Sequence, residues 1–181
     1  MKATGIVRRI DDLGRVVIPK EIRRTMRIRE GDPLEIYTDR DGEVIFKKYS
    51  PIGELGNFAL QYAETLSKTS GHPIAITDKD NIIAVSGVSK KEFVEKKISS
   101  ELEKVMDEKS TFTLKPGETK RIPIIDGIDK YIASIISPII SEGDSIGSVI
   151  FVSDENGESM GEVEEKLEQA ASGFVCKKTE Q

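Results

Sequence analysis

The stretch of residues 14–24 constrains the fold most, because in it a β-branched run passes through a proline into a basic segment. The run Val16-Val17-Ile18 suits a buried strand. Pro19 lacks an N–H group, so it is tolerated at a strand end and at the first turn of a helix. Paired arginines follow at Arg23 and Arg24. The stretch therefore predicts a strand that leads into a short basic helix, an arrangement suited to binding nucleic acid.

Charge is distributed unevenly along the chain. The 181 residues carry a formal net charge of −5, which alone argues against nucleic-acid binding. Residues 1–50, however, carry 12 basic and 9 acidic residues, whereas residues 51–181 carry 15 and 23. The excess is concentrated further in residues 1–29, with 9 basic and 3 acidic residues. This asymmetry predicts a nucleic-acid module joined to an acidic partner domain.

Composition limits the cellular context. The hydrophobic content of 37% and the charged content of 33% are typical of a soluble globular protein. The one cysteine, Cys176, excludes an intramolecular disulfide and a cysteine-based metal site, which favours a reducing compartment. The N-terminal residues lead into arginines instead of the apolar segment of a signal peptide, and no apolar run approaches the length of a membrane span. We expect a cytoplasmic protein associated with the nucleoid, without a membrane partner.

The first fifty residues predict a small β-rich domain. Period-two patterns and turn residues predict strands at 5–10, 15–18, 34–37 and 43–46, and a helix over 20–26 with Ile22 and Met26 inward. The Asp41-Gly42 pair is a strong hairpin signal. Fifty residues give a marginal core and leave strand edges unpaired. We therefore expect two copies to exchange strands in an obligate dimer.

The remainder predicts an α+β domain with an antiparallel sheet. Ser50 and Pro51 begin a helix with an apolar stripe that ends near Gly71. Strands are predicted at 73–77, 82–86, 111–114, 120–125, 131–140 and 145–153, with short helices within 90–108 begun by Ser89 and Ser100. Ser159 and Glu162 would cap a closing helix, with an apolar side formed by Val163, Leu167, Ala170, Ala171 and Phe174. The proposed domains are 1–50, a linker and dimerisation helix at 51–71, and 72–181.

The two apolar helix stripes have two interpretations. They can pack on their own sheet, or they can pair with the same helices of another chain in a four-helix bundle. Both uses are compatible with one another. The sequence alone leaves the choice open.

The basic residues of the first domain are the strongest functional signal. Lys20, Arg24 and Arg27 follow helical spacing and would share one face. A charged face is usually only solvated, but Arg8, Arg9 and Arg15 would lie on the adjoining hairpin. Arginine forks bind phosphates and guanine edges, so we favour double-stranded DNA as the partner.

The N-terminal segment resembles a known family. Its residues 4–10, 14–19, 21–24 and 31–36 are similar to the swapped-hairpin DNA-binding domain of AbrB-type transition-state regulators. The resemblance implies an intertwined dimeric β-barrel that binds DNA through Arg8, Arg15, Arg23 and Arg24. Arg9, Lys20 and Arg27 are secondary candidates. Many relatives have glycine at the position of Arg27, so the exit of the helix departs from the family pattern.

The whole chain also resembles a larger sporulation regulator of this group, in motifs that include Ser86-Gly87, Lys90-Lys91 and residues 127–129 and 160–164. That likeness implies a GAF-like C-terminal domain and a homotetramer joined by C-terminal helix bundles. It also implies activation and repression of sporulation genes. A small-molecule effector is compatible with such a domain, but no ligand-binding residue is identified.

Two other function classes are open. An antitoxin-like interaction protein would use the same N-terminal fold, although antitoxins usually append a short flexible tail. An enzyme would need an assembled acid, base or nucleophile, and the sequence shows no such motif, nor any motif for a cofactor or metal. His72 is interpreted as a helix-exit residue and Cys176 as an incidental thiol. We expect a regulator and not an enzyme.

Overall fold

The computed structural model describes residues 5–180, which form two compact units divided between Tyr49 and Ser50. Lys2, counted among the basic residues, and Thr4, part of the family motif, lie outside the described residues. Within the described part of the chain, none of the helices has the length and apolar character needed to cross a membrane.

Between residues 5 and 49, the N-terminal unit contains one helix and one hairpin. Helix α1 spans Lys20–Thr25, and strands β1 (Leu34–Thr38) and β2 (Val44–Lys48) pair antiparallel. The connecting turn is closed by Asp39, whose Oδ1 accepts hydrogen bonds from the N–H groups of Asp41 and Glu43 at 3.1 and 2.8 Å. The hairpin predicted from Asp41-Gly42 is confirmed.

The predicted strands at 5–10 and 15–18 are not strands in the single chain, where these residues form only a turn at 12–14. A strand requires a neighbour that supplies the other half of its hydrogen-bond ladder. In a swapped hairpin, that neighbour belongs to the second copy. Within the single chain, residues 5–10 and 15–18 have no such neighbour, and this is the physical reason for the difference from the prediction.

The C-terminal unit begins at the predicted helix cap. Ser50 Oγ accepts a hydrogen bond from the Gly53 N–H at 3.0 Å and donates one to Asp78 Oδ2 at 3.0 Å. Two helices follow, α2 (Pro51–Glu54) and α3 (Gly56–Ser70), where the sequence predicted one. The residues predicted as a linker helix therefore belong to the second unit, since Ala59 and Ala63 of α3 are buried in its core.

An antiparallel sheet of six strands forms the centre of this unit. The strand order is β4-β3-β8-β7-β5, and β6 also pairs with β7. The strands are β3 (Ile74–Asp78), β4 (Ile82–Ser86), β5 (Phe112–Thr113), β6 (Pro123–Ile125), β7 (Ile128–Ser141) and β8 (Asp144–Asp154). The remaining helices are α4 (Lys90–Phe93), α5 (Ser100–Asp107) and α6 (Glu162–Thr179).

Both faces of the sheet are covered. Successive side chains of a strand point to opposite faces. Accordingly Ile74 and Phe151 pack in a cluster with α2, α3 and α6, whereas Ala75 and Ile150 pack in a second cluster with α4 and α5. The unit is an α/β/α sandwich with two cores.

Two predicted caps are displaced. The N-cap of α5 is Ser99, whose Oγ accepts the Leu102 N–H at 3.0 Å, so the predicted cap at Ser100 was wrong by one residue. Helix α6 begins at Glu162, and Glu164 accepts the Gly161 N–H at 3.0 Å, in place of the predicted cap by Ser159. The observed N-caps, Ser99 and Gly161, lie one and two residues from the predicted caps, within the usual uncertainty of helix ends.

The buried face of α6 also differs from the predicted one. Its buried residues are Glu168, Ala171, Ser172 and Val175, at helical spacing. Val163 and Phe174 of the predicted stripe are exposed by 75% and 48%. Ala171 of the predicted stripe is buried as expected, and Ser172 can lie inward because its hydroxyl pairs with that of Ser137 on β7, Oγ to Oγ at 2.9 Å.

Candidate nucleic-acid interface

The turn around Gly14 fixes the backbone beside Arg15. Asp11 Oδ1 accepts the N–H groups of Leu13 and Arg15 at 3.0 and 2.8 Å, and Gly14 has a φ of +75°. The Arg15 Nε donates to Asp11 Oδ2 at 2.8 Å. The hydrogen bond from the Arg15 backbone, followed by that from its guanidinium, lowers the pKa of the exposed Asp11. The carboxylate thus orients Arg15, which is 70% exposed and retains Nη donors for a ligand.

Helix α1 presents three cations in six residues. Lys20 is its first residue, and Arg23 and Arg24 lie in its last turn, where positive charge complements the helix dipole. All three side chains are exposed, and no residue of α1 is buried. Planar guanidinium groups on an exposed helix suit phosphate oxygens and base edges.

Arg27 does not share the face of Lys20 and Arg24, contrary to the helical spacing. The helix ends at Thr25, and Arg27 adopts a left-handed conformation with a φ of +51°. Its side chain is half-buried, whereas those of Arg23 and Arg24 are exposed. The structure therefore separates this secondary candidate from the others.

Arg8 and Arg9 lie in the extended N-terminal segment, and both are exposed. No strand holds them in the single chain. The structure thus groups the predicted basic residues in three places: this segment, the turn with Arg15, and α1.

Apolar residues of the same unit are also exposed. The most exposed is Val7 at 89%, and others are Ile10, Leu13, Val17, Ile36 and Val44. Large exposed apolar surfaces on soluble proteins mark interaction sites. This unit therefore has apolar surface available to pair with another chain.

In the C-terminal unit, three aromatic rings form a cluster between α3 and α6. Phe58 and Tyr62 stack with ring centroids 5.8 Å apart, and the centroids of Tyr62 and Phe174 are 5.4 Å apart. The stripe predicted on α3 is thus divided, because Ala59 and Ala63 face the sheet and the aromatic residues contact α6. Burial raises the pKa of the Tyr62 hydroxyl.

Glu168 is a fully buried carboxyl group on the sheet side of α6. Neither of its oxygens accepts a well-formed hydrogen bond from the described residues. Burial raises its pKa well above the ordinary value, and the nearby N–H groups of Phe151 and Ser137 counter only part of the shift. This group belongs to the helix–sheet interface and not to the basic surface.

The histidine and the cysteine of this unit both contact neighbouring residues of the fold. His72 follows the left-handed Gly71 at the end of α3, with its ring edge against Phe151 and its Nδ1 3.8 Å from Glu158. Cys176 lies within α6, and its Sγ donates to the Ile140 carbonyl at 2.9 Å. Within residues 5–180, no group of three His, Cys, Asp or Glu residues is arranged to hold a metal ion.

Comparison with known proteins follows the division into two units. The family profile described as "Stage V sporulation protein T C-terminal, transcription factor" matches residues 54–180. The chain is 56% identical over 182 residues to stage V sporulation protein T of Bacillus subtilis (strain 168), and the match covers 100% of both chains. The chain belongs to the stage V sporulation protein T family. It is thus a member of a family of transcription factors, as the resemblance predicted.

The two units of this family member have different relatives. Over 51 residues, the chain is 65% identical to the transition state regulatory protein AbrB of Bacillus subtilis (strain 168). This match covers 28% of this chain and 52% of AbrB. A family profile described as "Antidote-toxin recognition MazE, bacterial antitoxin" matches residues 7–53. The AbrB-type segment predicted from the sequence is confirmed.

The C-terminal unit has a GAF fold. It is similar to the GAF domain of an Acinetobacter phosphoenolpyruvate-protein phosphotransferase, with a TM-score of 0.52 and 9% identity. That match covers 74% of this chain and 84% of the other. At this identity the likeness concerns the fold alone, and it confirms the predicted fold class.

Sequence reasoning missed two residues of the basic surface. Asp11 was interpreted only as part of a turn, although an acid four residues before Arg15 was a signal for an ion pair. Lys48 was not considered. Its Nζ donates to the carbonyl of Arg27 at 2.9 Å, a contact between residues 21 positions apart that no local pattern reveals.

Proposed function

We propose that this chain is a sequence- and shape-selective DNA-binding regulator that activates and represses sporulation genes and acts on nucleoid DNA. The observation that carries the proposal is the exposed set of cations on α1 and the adjoining turn, in a segment similar to AbrB. Arg8, Arg15, Arg23 and Arg24 are the principal contacts, and Arg9, Lys20 and Arg27 are secondary. Phosphate contacts supply most of the affinity, and DNA shape supplies much of the selectivity.

The decisive experiment measures the affinity of the full-length protein for a DNA duplex as a function of salt concentration. If each dimer neutralises about eight phosphates, affinity falls roughly 10⁴-fold between 50 and 200 mM salt. Arg15→Ala and Arg24→Ala should each weaken binding by at least about tenfold without unfolding the protein. Arg40→Ala, in the exposed β1–β2 turn, is the matched control for loss of one charge and should change affinity by less than about threefold. Equal effects of all three variants would contradict the assigned contacts.

The proposal includes self-association in two steps. Exposed apolar residues of the N-terminal unit, such as Val7, Val17 and Ile36, supply a dimer interface by strand exchange. The cluster of Phe58, Tyr62 and Phe174 supplies a second interface, through which α3 and α6 of two copies form a helix bundle and a tetramer. Sedimentation of Phe174→Glu should then show dimers in place of tetramers. An unchanged tetramer would exclude this helix face.

An effector site is a further element of the proposal. A depression of about 280 Å³ lies between the β5–β6 connection and the segment before α6, lined by Lys115 and Arg121 among others. Its cations suit a small anionic ligand. A shift of melting temperature with small anions in the wild type, absent in Arg121→Ala, would support this location, and equal shifts in both would contradict it.

An antitoxin is the second candidate because the MazE profile matches residues 7–53. In that function the chain after the N-terminal unit would be a flexible segment that folds on a toxin. Residues 50–180 instead form a layered unit with two hydrophobic cores. Limited proteolysis should therefore release a fragment that begins near Ser50 and unfolds cooperatively. Complete digestion of that region would favour the antitoxin.

A further inference from the structure

The exit of α1 is a strained turn. Ile28 N–H donates to the Arg23 carbonyl at 2.8 Å, and Arg27 N–H donates to the Arg24 carbonyl at 3.3 Å. This pair of hydrogen bonds closes a helix when the residue after its cap is left-handed, a place that glycine usually occupies. Here that residue is Arg27, with a φ of +51°. A side chain in this conformation costs about 1 kcal/mol, so the turn benefits from outside support.

Lys48 supplies such support from the hairpin. It is the last residue of β2 and pairs with Leu34 across the hairpin. Its Nζ donates to the Arg27 carbonyl at 2.9 Å in a partly buried contact. A cation that bonds to a carbonyl at the C-terminal end of a helix is favoured by the helix dipole, and the charge strengthens the hydrogen bond.

Helix α1 has few other restraints within the described chain. It has six residues, none of them buried, and no side chain caps its N-terminal end. The carbonyls that accept the turn's hydrogen bonds are those of Arg23 and Arg24, the residues whose guanidinium groups face solvent. The direction of these two side chains therefore depends on the turn that Lys48 supports.

We propose that Lys48 is a positioning residue for DNA binding, which holds the exit of α1 so that Arg23 and Arg24 meet the DNA in a fixed orientation. This inference rests on the proposed function. Lys48 acts through α1 and not by its own contact with DNA. Its loss lets the strained turn relax and the last helical turn fray, so that the arginines lose their alignment.

A double-mutant cycle in the full-length protein tests this role. Lys48→Met should weaken DNA binding about tenfold in the wild type but less than about twofold in the Arg23→Ala/Arg24→Ala background, because groups that act as a unit are not additive. Lys48→Arg, which keeps a charged donor, should restore most of the affinity. Lys47→Met removes the charge of an exposed neighbour and should change affinity by less than about threefold. Equal losses from Lys48→Met in both backgrounds would show that Lys48 contacts DNA itself and would overturn the proposal.

A second background separates positioning from folding. Glycine adopts the left-handed conformation without strain, so Arg27→Gly makes the support of Lys48 dispensable. In that background, Lys48→Met should change DNA affinity by less than about twofold. A full tenfold loss there would contradict the positioning role. If the Arg23→Ala/Arg24→Ala protein instead binds DNA as tightly as the wild type, the proposed function of α1 fails, and that outcome is distinct from failure of the inference about Lys48.

Discussion

The N-terminal unit leaves Val17 and Ile36 exposed by 71% and 65%, whereas the C-terminal unit buries Ile74, Ile150 and Phe151 completely. Pro19 is the one buried residue of the described N-terminal unit. Every other buried apolar residue in the described chain lies beyond Ser50. The two units have similar strand-forming residues but differ in whether one chain contains enough of them. A core that needs a second copy makes stability depend on protein concentration. The comparison therefore separates a unit that leaves its apolar residues exposed in the single chain from one that buries them within it.

The largest effect is expected from a charge on the exposed surface of the N-terminal unit. Val17→Asp would bury an unpaired carboxylate in the proposed dimer, so DNA affinity should fall by at least about 100-fold. In a monomer, a substitution at so exposed a residue would change the free energy of unfolding by no more than about 0.5 kcal/mol. Val163→Asp is the matched control in the other unit, since Val163 is 75% exposed. If Val17→Asp dimerises and binds DNA as the wild type does, the exposed apolar residues of the N-terminal unit do not form the proposed dimer interface.

The next effect concerns the closed core of the C-terminal unit. Gly147 lies on β8 between β3 and β7, and a Cβ there would collide with the carbonyl oxygen of Thr77 and lie 2.8 Å from Cδ1 of Ile52. Gly147→Ala should destabilise this unit by about 3 kcal/mol or more, because the backbone of a central strand cannot move aside. Calorimetry should show a lower melting temperature that does not depend on protein concentration. Gly56→Ala, where a Cβ meets nothing within 4 Å, is the control.

Local signals in the sequence were sufficient where one chain completes the structure. The hairpin around Asp41-Gly42 and the helix start at Ser50-Pro51 both depend on residues within four positions, and both are observed. The sheet of the C-terminal unit was predicted for the same reason, because each strand has a partner in the same chain. By contrast, residues 5–18, whose strand partners in the proposed dimer would belong to the second copy, form no strand in the single chain.

The candidate site shows the same limit. The cations of α1 could be found because helical and charge patterns are local. The link from Lys48 to the exit of α1 spans 21 residues and involves a backbone carbonyl, so no pattern of side chains indicates it. On α6, the apolar pattern identified only part of the buried face: Ala171 is buried as predicted, but Glu168 and Ser172 also occupy inward positions. Sequence patterns assume that polar residues face water, and the helix–sheet interface departs from that rule.

A smaller, pH-dependent effect is expected from Glu168. Its raised pKa means that the folded state holds the proton while the unfolded state releases it. Stability is therefore greatest below the ordinary pKa of glutamate and falls as pH rises from there towards the raised value. The titratable group whose charge acts on Glu168 is Glu165 on the same helix, and this like charge also raises the pKa of Glu168.

Glu168→Gln removes this titration and should flatten the dependence of melting temperature on pH over the pH range above the ordinary pKa of glutamate. At the upper end of that range the variant should be more stable than the wild type. Glu165→Gln changes a neighbouring, half-buried charge on the same helix and should keep the wild-type slope. If the pH dependence of the melting temperature persists in Glu168→Gln, it arises from other titratable groups, and the prediction for Glu168 is contradicted.

The smallest effect tests whether the C-terminal unit is complete on its outer face as well. Gly173 lies in α6 next to Phe174, and a Cβ there meets nothing within 4 Å in the single chain. If that surface faces only solvent, Gly173→Ala should stabilise the helix by about 0.5–1 kcal/mol and raise the melting temperature by roughly 1–4 °C. If α6 packs closely on a second copy, the added methyl group meets that copy, and stability falls together with the mass measured by sedimentation. A gain in stability with unchanged mass would place Gly173 outside the proposed bundle. A loss of both stability and mass would indicate that the C-terminal unit also depends on association, as proposed for the N-terminal unit.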